Sequence, residues 1–405
     1  MVVNSYYLNQ ILNHHYEPYN INQMYINEYK FIYIYMEFLK KNKIINEIIV
    51  TKELTDPIKK NKNLIFFCVF HNEEYMKMFK ILMISLKFYS NTDNIDFLIF
   101  TSNNFIPYIN SISKLVRINI AYKIFDLNNV FDAACARLNI YDYENIDQYE
   151  KILYVDTDII IKNDINILFE EPLEDKMYAV REATIGREHQ GGWYFDFNNI
   201  DKNTGGMNSG ILLFKNLPIF KQIFNDIREH ILNIKKENGT FPVCYDQPFV
   251  NYHFIKNSKY DITMMEKYGQ LYDVIDPLPK LEPTNIIFCH FVWAIGGASN
   301  KTKRMTEHLK YVLKYYKSMV KNNEPINEKR LNDVKFNWNN NSFIHFKGYN
   351  ILETSWGSGL YIWLDYNTLF VTWSGYDHII KINESSTNYM SIRLADLEIS
   401  YGVKL

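Results

Sequence analysis

Residues Lys151–Phe169 read KILYVDTDIIIKNDINILF, an apolar run interrupted by paired acids. Ile152–Val155 has the character of a buried strand, and the chain continues through Asp156-Thr157-Asp158 into three isoleucines. If the strand runs on, residues two apart share a face, so the two carboxylates stand side by side. Bare anions flanked by Leu153, Val155, Ile159 and Ile160 would be costly to bury. A hard divalent cation removes that cost, because Mg²⁺ and Mn²⁺ take oxygen ligands and share a phosphate. The competing reading ends the strand at Val155 and leaves both aspartates solvated in a turn.

The surrounding chain has the layout of an α/β protein. Leu64–Phe70 (LIFFCVF) is a continuous apolar run, as expected of a parallel strand buried on both faces. A helix is expected over Met76–Tyr89, strands over Phe97–Phe100 and Ile118–Phe125, and a helix over Val130–Ile140 before the aspartate strand. Further strands are expected over Met177–Arg181 and Ile286–Phe291, with a helix over Leu217–Lys235 between them. Strands alternating with helices predict an open, mostly parallel sheet, whose ligands sit beyond the carboxyl ends of its strands. His71, Asn72, Asp156 and Asp158 all fall at such ends. The long polar segment Glu182–Thr204 carries Trp193, Tyr194, Phe195 and Phe197, which suits the wall of an acceptor cleft better than a disordered loop.

Both ends differ from this middle. Residues 1–60 read as two or three helices without a catalytic motif. Lys301–Lys321 reads as a basic amphipathic helix closing the main domain, and Lys321–Arg330 (KNNEPINEKR) as a polar linker. Residues 331–405 hold short aromatic and β-branched runs at Phe343–His345, Gly359–Leu364, Leu369–Trp373, His378–Ile382 and Met390–Leu394. They predict a small antiparallel sheet or barrel, with Trp338, Trp356, Trp363 and Trp373 as its core or as a sugar-stacking platform. The expected division is thus 1–60, 61–322 and 331–405.

Composition narrows the function classes. With 405 residues, 47% hydrophobic and 22% charged, the chain is ordinary globular protein. A formal net charge of −2 gives no reason to expect nucleic acid or an anionic membrane as partner. Cys68, Cys135, Cys244 and Cys289 have no C-x-x-C spacing, which points to a reducing compartment without structural zinc. The start, MVVNSYYLNQILNHHYEP, lacks the basic and apolar regions of a signal peptide, and no run is long enough to span a bilayer. The expectation is a soluble, intracellular, cytoplasmic protein. Oligomeric state is open, a homo-oligomer included.

Five ordered motifs between about residues 63 and 310 resemble the family-eight glycosyltransferases, the glycogenin-like enzymes. The string YVDTDIIIKNDINILF is similar to that family's metal-binding segment. The resemblance implies a GT-A fold: a Rossmann-like, mostly parallel sheet with flanking helices, here with an N-terminal helical extension and a small C-terminal antiparallel β domain. It assigns Asn72 and Tyr75 to the nucleotide base, Arg137 to the donor, and Asp156, Thr157 and Asp158 to the metal and diphosphate. Asn208 and Ser209, within MNSGILLF, correspond to the segment touching the donor sugar. Asp246 and Gln247, within YDQPFVNY, correspond to the acidic–glutamine pair beside the anomeric carbon. His290 corresponds to the third protein ligand of the metal, and such a donor set suits Mn²⁺ better than Mg²⁺. The family's glycine and lysine follow the histidine closely. Here Gly296, Gly297, Lys301 and Lys303 follow a longer loop, and Lys303 is the favoured diphosphate contact.

The implied activity is metal-dependent, retaining transfer of a hexose from a UDP-sugar to a hydroxyl of a glycan, protein or lipid acceptor. The alternative is a non-catalytic glycan-binding protein that uses the C-terminal aromatic module. A nucleotidyltransferase is disfavoured because no glycine-rich phosphate loop with lysine is present.

Overall fold

The computed structural model describes residues 62–127, 129–237, 239–273, 285–292, 296–314, 328–338 and 342–405. The chain divides into units Met1–Lys60 and Asn61–Leu405, and the described residues lie in the second. The expected N-terminal helices therefore fall outside the described residues.

In chain order the elements begin with β1 (Asn63–Val69), α1 (Glu73–Tyr89), β2 (Ile95–Thr101), α2 (Ile106–Val116), β3 (Ile120–Ile124) and α3 (Val130–Ala134). Next come β4 (Lys151–Val155), β5 (Ile159–Ile161), α4 (Asn166–Glu170), β6 (Met177–Tyr178), β7 (Arg181–Thr184), β8 (Gly205–Met207) and β9 (Ile211–Lys215). Then follow α5 (Pro218–Lys236), α6 (Gln247–Lys256), β10 (Tyr260–Asp261), β11 (Gly269–Tyr272), β12 (Phe288–Phe291) and α7 (Gly297–Lys314). The main sheet has the order β10-β6-β9-β4-β1-β2-β3, with β9 antiparallel to both neighbours and the remaining pairs parallel. This is the mostly parallel, helix-flanked sheet that the alternation of elements predicts, in the GT-A arrangement that the resemblance implies.

Alternation along the strands explains why both faces are covered. Leu64 and Phe66 of β1, Ile152 and Tyr154 of β4, and Leu212 and Phe214 of β9 point into one apolar layer, shared with Phe220, Phe224 and Phe254 of α5 and α6. Their neighbours Ile65, Phe67, Leu153, Val155, Ile211 and Leu213 point into the other, beneath α1, α2 and α7. Each fully buried phenylalanine contributes roughly 2–3 kcal/mol of transfer free energy to these layers.

The structure departs from the expected elements in three places near the strand ends. The aspartate segment is not one continuous strand. β4 stops at Val155, the chain turns at Thr157 and Asp158, and β5 starts a second, three-stranded sheet of order β11-β12-β5. The three isoleucines of β5 find their partners there, because their backbone pairs with β12 and their side chains are buried in the α1 layer. The expected strand over Met177–Arg181 splits into β6 in the main sheet and β7, which pairs with β8 in a separate ribbon. The helix expected over Val130–Ile140 is the short α3, continued by a 3-10 stretch Cys135–Asp142 that loses helical dihedrals at Asn139.

The C-terminal region contains β13 (Val334–Trp338), β14 (Ser342–Gly348), β15 (Ile351–Thr354), β16 (Gly357–Trp363), β17 (Thr368–Trp373), β18 (Tyr376–Ile382), β19 (Asn388–Arg393) and β20 (Ile399–Val403). Each pairs antiparallel with the next. A bridge between Phe336 and Lys404, with Leu405 N–H donating to Lys335 O at 2.9 Å, closes the sheet into a barrel. Trp338, Trp363 and Trp373 are buried in its core, whereas Trp356 is half exposed. Ile379, Ile392, Leu397 and Ile399 face outward into the α1 layer, and Lys381 Nζ caps the end of α1 at Phe88 O, 2.6 Å away. Among the described residues, no helix is long and apolar enough to cross a membrane.

Candidate active site

Three chain features meet where β4 leaves the main sheet. Asp156 N–H donates to Gly210 O at 2.7 Å, so the end of β4 is tied to the turn before β9. Pairing of β5 with β12 sets His290 opposite Ile159, and Phe291 N–H donates to Asp158 O at 3.0 Å. Ligand atoms of Asp156, Asp158 and His290 consequently lie within 4.8 Å of one another. His290 Nε2 stands 3.1 Å from Asp158 Oδ1, yet that buried oxygen accepts no hydrogen bond. Two donors that converge without satisfying each other, one carboxylate and one imidazole, fit a shared divalent cation.

Cations line the same cluster. Lys301, on the first turns of α7, donates from Nζ to Asp158 Oδ2 at 2.6 Å. Burial raises the Asp158 pKa, but the Lys301 ammonium and the His290 ring outweigh it and hold the carboxyl well below the usual range. Lys303, the lysine favoured from sequence, is 73% exposed and lies 3.9 Å from Glu307. Residues two apart on a helix are about 200° apart around its axis, so only one of the two lysines can face the aspartates. That one is Lys301. Gly296 and Gly297, with φ of 84° and 74°, take the left-handed conformations by which the chain enters α7.

Arg137 links the metal-type cluster to a second acidic group. Its guanidinium lies 3.4 Å from Asp156 Oδ1 and 3.1 Å from Asp246 Oδ2, donates to Ser209 O at 2.5 Å, and covers the Tyr154 ring at 4.4 Å. The Tyr154 hydroxyl donates to Asp156. Asp246 is 1% exposed, and burial pushes its carboxyl up to about 6, with Arg137 opposing and Asp156 adding to the rise.

Asn208, Ser209 and Gln247 form one buried group beside Arg137. Ser209 N–H donates to Gln247 Oε1 at 2.9 Å, and Gly210 N–H donates to Asn208 Oδ1 at 2.9 Å. Thr157 is buried between the two aspartates. Asn72 caps α1, its Oδ1 accepting from Glu74 N–H at 2.9 Å, a strongly preferred N-cap arrangement. Tyr75, one turn on, is 37% exposed, and burial of its hydroxyl pushes the phenol up, with Lys301 opposing and Asp158 adding to the rise. Contacts therefore join Asp156, Asp158, His290 and Lys301 on one side of Arg137 to Asp246, Ser209, Gln247 and Asn208 on the other, and Lys303 is not among them.

Sequence reasoning missed Glu182, Gln190, Tyr154 and Asn251. Glu182 Oε2 accepts from the amides of Gln247, Asn208 and Gln190, and Asn251 ties Gln190 to the Met207 backbone. Tyr154 and Asn251 lie inside the strings YVDTDIIIKNDINILF and YDQPFVNY without having been singled out, whereas Glu182 and Gln190 lie in no local pattern. The Glu182–Thr204 segment is anchored through Tyr194, whose ring packs on Phe249 and Tyr252, while Trp193 and Phe197 stay exposed.

Together, fold and geometry define an α/β domain with a carboxylate–imidazole cluster, able to hold a cation, beyond its parallel strands. The profile described as Glycosyl transferase family 8 matches residues 50–350, and the chain belongs to that family. No curated protein matches the chain. Similar solved structures include the apo structure of the bifunctional glycosyltransferase WbbM, 13% identical with a TM-score of 0.44, covering 62% of this chain and 50% of that one. The match therefore spans half the length of WbbM. Another is the galactosyltransferase LgtC in complex with donor and acceptor sugar analogues, 15% identical, TM-score 0.43, covering 60% of this chain and 95% of that one. Mouse xyloside xylosyltransferase 1 is 13% identical, TM-score 0.38, with 52% and 87% covered.

Proposed function

We propose that this protein is a metal-dependent, retaining glycosyltransferase that moves a hexose from a UDP-sugar to an acceptor hydroxyl. The observation that carries the reading is the convergence of Asp156, Asp158 and His290, backed by Lys301, in a member of this family. These three residues would hold Mn²⁺, or Mg²⁺, which supplies charge neutralisation for a diphosphate leaving group. Lys301 adds positive charge on the same side, and Arg137 keeps Asp156 and Asp246 compatible within one buried space. Tyr75 offers an aromatic face for the base, with Asn72 at its side. Asn208 and Gln247 supply amide contacts to the sugar. Asp246 carries negative charge for the electron-poor anomeric carbon while the acceptor oxygen bonds to the face that UDP leaves. The anchored Glu182–Thr204 segment, with Trp193 and Phe197 exposed, forms a wall for a glycan, protein or lipid acceptor.

The test is UDP release from a panel of UDP-sugars, with Mn²⁺ and with EDTA. Metal-dependent release from one donor is expected. Silence across the panel, together with no metal-dependent UDP binding by calorimetry, would remove the proposal.

A further inference from the structure

Glu182 lies outside every motif, yet its carboxylate is the centre of the buried amide group. One oxygen, Oε2, accepts from Gln247 Nε2 at 2.9 Å, Asn208 Nδ2 at 3.1 Å and Gln190 Nε2 at 3.2 Å. The amides of Gln247 and Asn208 are each held from the opposite side by a backbone N–H. Ser209 N–H meets Gln247 Oε1 at 2.9 Å, and Gly210 N–H meets Asn208 Oδ1 at 2.9 Å. A carboxamide has an accepting end and a donating end of nearly equal shape, so its contacts decide its direction. Here the N–H groups fix both oxygens, and the Glu182 carboxylate fixes both nitrogens.

The backbone is built to aim that carboxylate. The pairing of β7 with β8 shifts register between Arg181 and Thr184, and Ala183 takes a left-handed φ of 53°. Such bulges re-aim a side chain beside a site. Opposite lies Gly206, where a Cβ would stand 2.3 Å from Gln190 Oε1. The freed space is occupied by Gln190, which Asn251 Nδ2 holds at 2.8 Å. Asn251 also accepts from Met207 N–H at 2.7 Å and donates to Gln247 O at 3.1 Å. The metal-type residues Asp156, Asp158 and His290 take no part in this network.

We propose that Glu182 is a positioning residue that sets the amide direction of Gln247 and Asn208, and so the hydrogen-bonding pattern offered to the donor sugar. Through Gln190 the same oxygen joins the Glu182–Thr204 segment to the sugar pocket. The proposal rests on the function proposed above. Without Glu182, Gln247 Nε2 keeps only the His189 carbonyl, 3.3 Å away, Asn208 Nδ2 loses its carboxylate partner, and each amide is held in direction from its oxygen end alone.

The experiment compares full-length wild type with Glu182→Ala and Glu182→Gln in Mn²⁺. In Glu182→Ala, kcat for the wild-type donor is expected to fall about ten-fold or more, while calorimetric UDP affinity stays within about three-fold. Glu182→Gln keeps an accepting oxygen and is expected to recover a substantial part of kcat. A spectroscopic readout is independent of turnover: the Gln247 carboxamide proton facing Glu182, identified by its loss in Gln247→Glu, should leave its downfield NMR position in Glu182→Ala. An unmoved signal overturns the proposal, as does wild-type kcat in Glu182→Ala. Loss of UDP affinity in step with kcat, or no recovery in Glu182→Gln, also overturns it. A wild type that shows the amide signal but neither binds UDP nor turns over would count against the proposed function, leaving the Glu182 contact itself upheld.

Discussion

Gly210 lies against the His290 ring: a Cβ on Gly210 would stand 2.2 Å from Cε1 and 2.7 Å from Asp156 Oδ2. Two groups of the proposed cation site are therefore brought together over a residue without a side chain. Gly210→Ala is expected to push the ring and the carboxylate apart. Mn²⁺ affinity should fall about ten-fold or more, and overpacking should cost about 1–3 kcal/mol of stability. Unchanged Mn²⁺ affinity by calorimetry would show that His290 is not a ligand.

The two lysines of the α7 start should separate cleanly. Lys301→Ala removes the cation 2.6 Å from Asp158 and should weaken UDP binding in Mn²⁺ by about ten-fold. Lys303→Ala removes an exposed side chain 3.9 Å from Glu307, a pair worth little, and should stay within about two-fold of wild type. Equal effects of the two substitutions would contradict the geometry.

Asp246 should report its burial in the pH dependence of stability. Its folded pKa, raised to about 6, lies above the value of about 4 expected in the unfolded chain. The folded state thus holds the proton more tightly. The stabilisation is fully present below pH about 4 and is lost as pH rises through about 6. Urea unfolding of the metal-free protein should show wild type losing about 2 kcal/mol relative to Asp246→Asn between pH 4 and 7. A constant difference across that window would mean that Asp246 ionises normally.

Arg137 is the buried counter-charge to two carboxylates, so its loss is a stability event as well as a catalytic one. Arg137→Met is expected to destabilise by about 3–5 kcal/mol at pH 7, because Asp246 is left buried without its partner. The double substitution Arg137→Met with Asp246→Asn should recover much of that loss. An additive result would indicate no coupling between them.

The barrel should matter to stability and little to donor binding. α1 runs 17 residues, about 25 Å, from Asn72 at the cleft to the end that Lys381 caps. Ile379→Ala, in the apolar layer beneath α1, should cost about 2–4 kcal/mol and leave Mn²⁺-dependent UDP affinity unchanged. A drop in that affinity would show that the barrel acts on the site.

Much of this was present in the chain itself. The apolar runs LIFFCVF and KILYV specify strands buried on both faces, since alternate side chains must each find an apolar layer. Asn72, Asp156, Asp158, Asn208, Asp246, Gln247 and His290 sit in short motifs that are weak singly, and it was their match to the order of the family-eight motifs that proposed a shared site. What sequence could not decide was anything set by side chains meeting from distant elements. Lys301 and Lys303 are equivalent as letters, and only the rotation of α7 relative to Asp158 separates them. Asp156-Thr157-Asp158 reads equally as a continuing strand or as a turn after Val155; it is a turn, with Asp158 brought against His290 because β5 pairs with β12 rather than continuing β4. Glu182 has no motif at all. Its contacts exist because a bulge and a glycine on the facing strand let one carboxylate oxygen reach three amides, and those distances are a property of packing, not of any window of sequence.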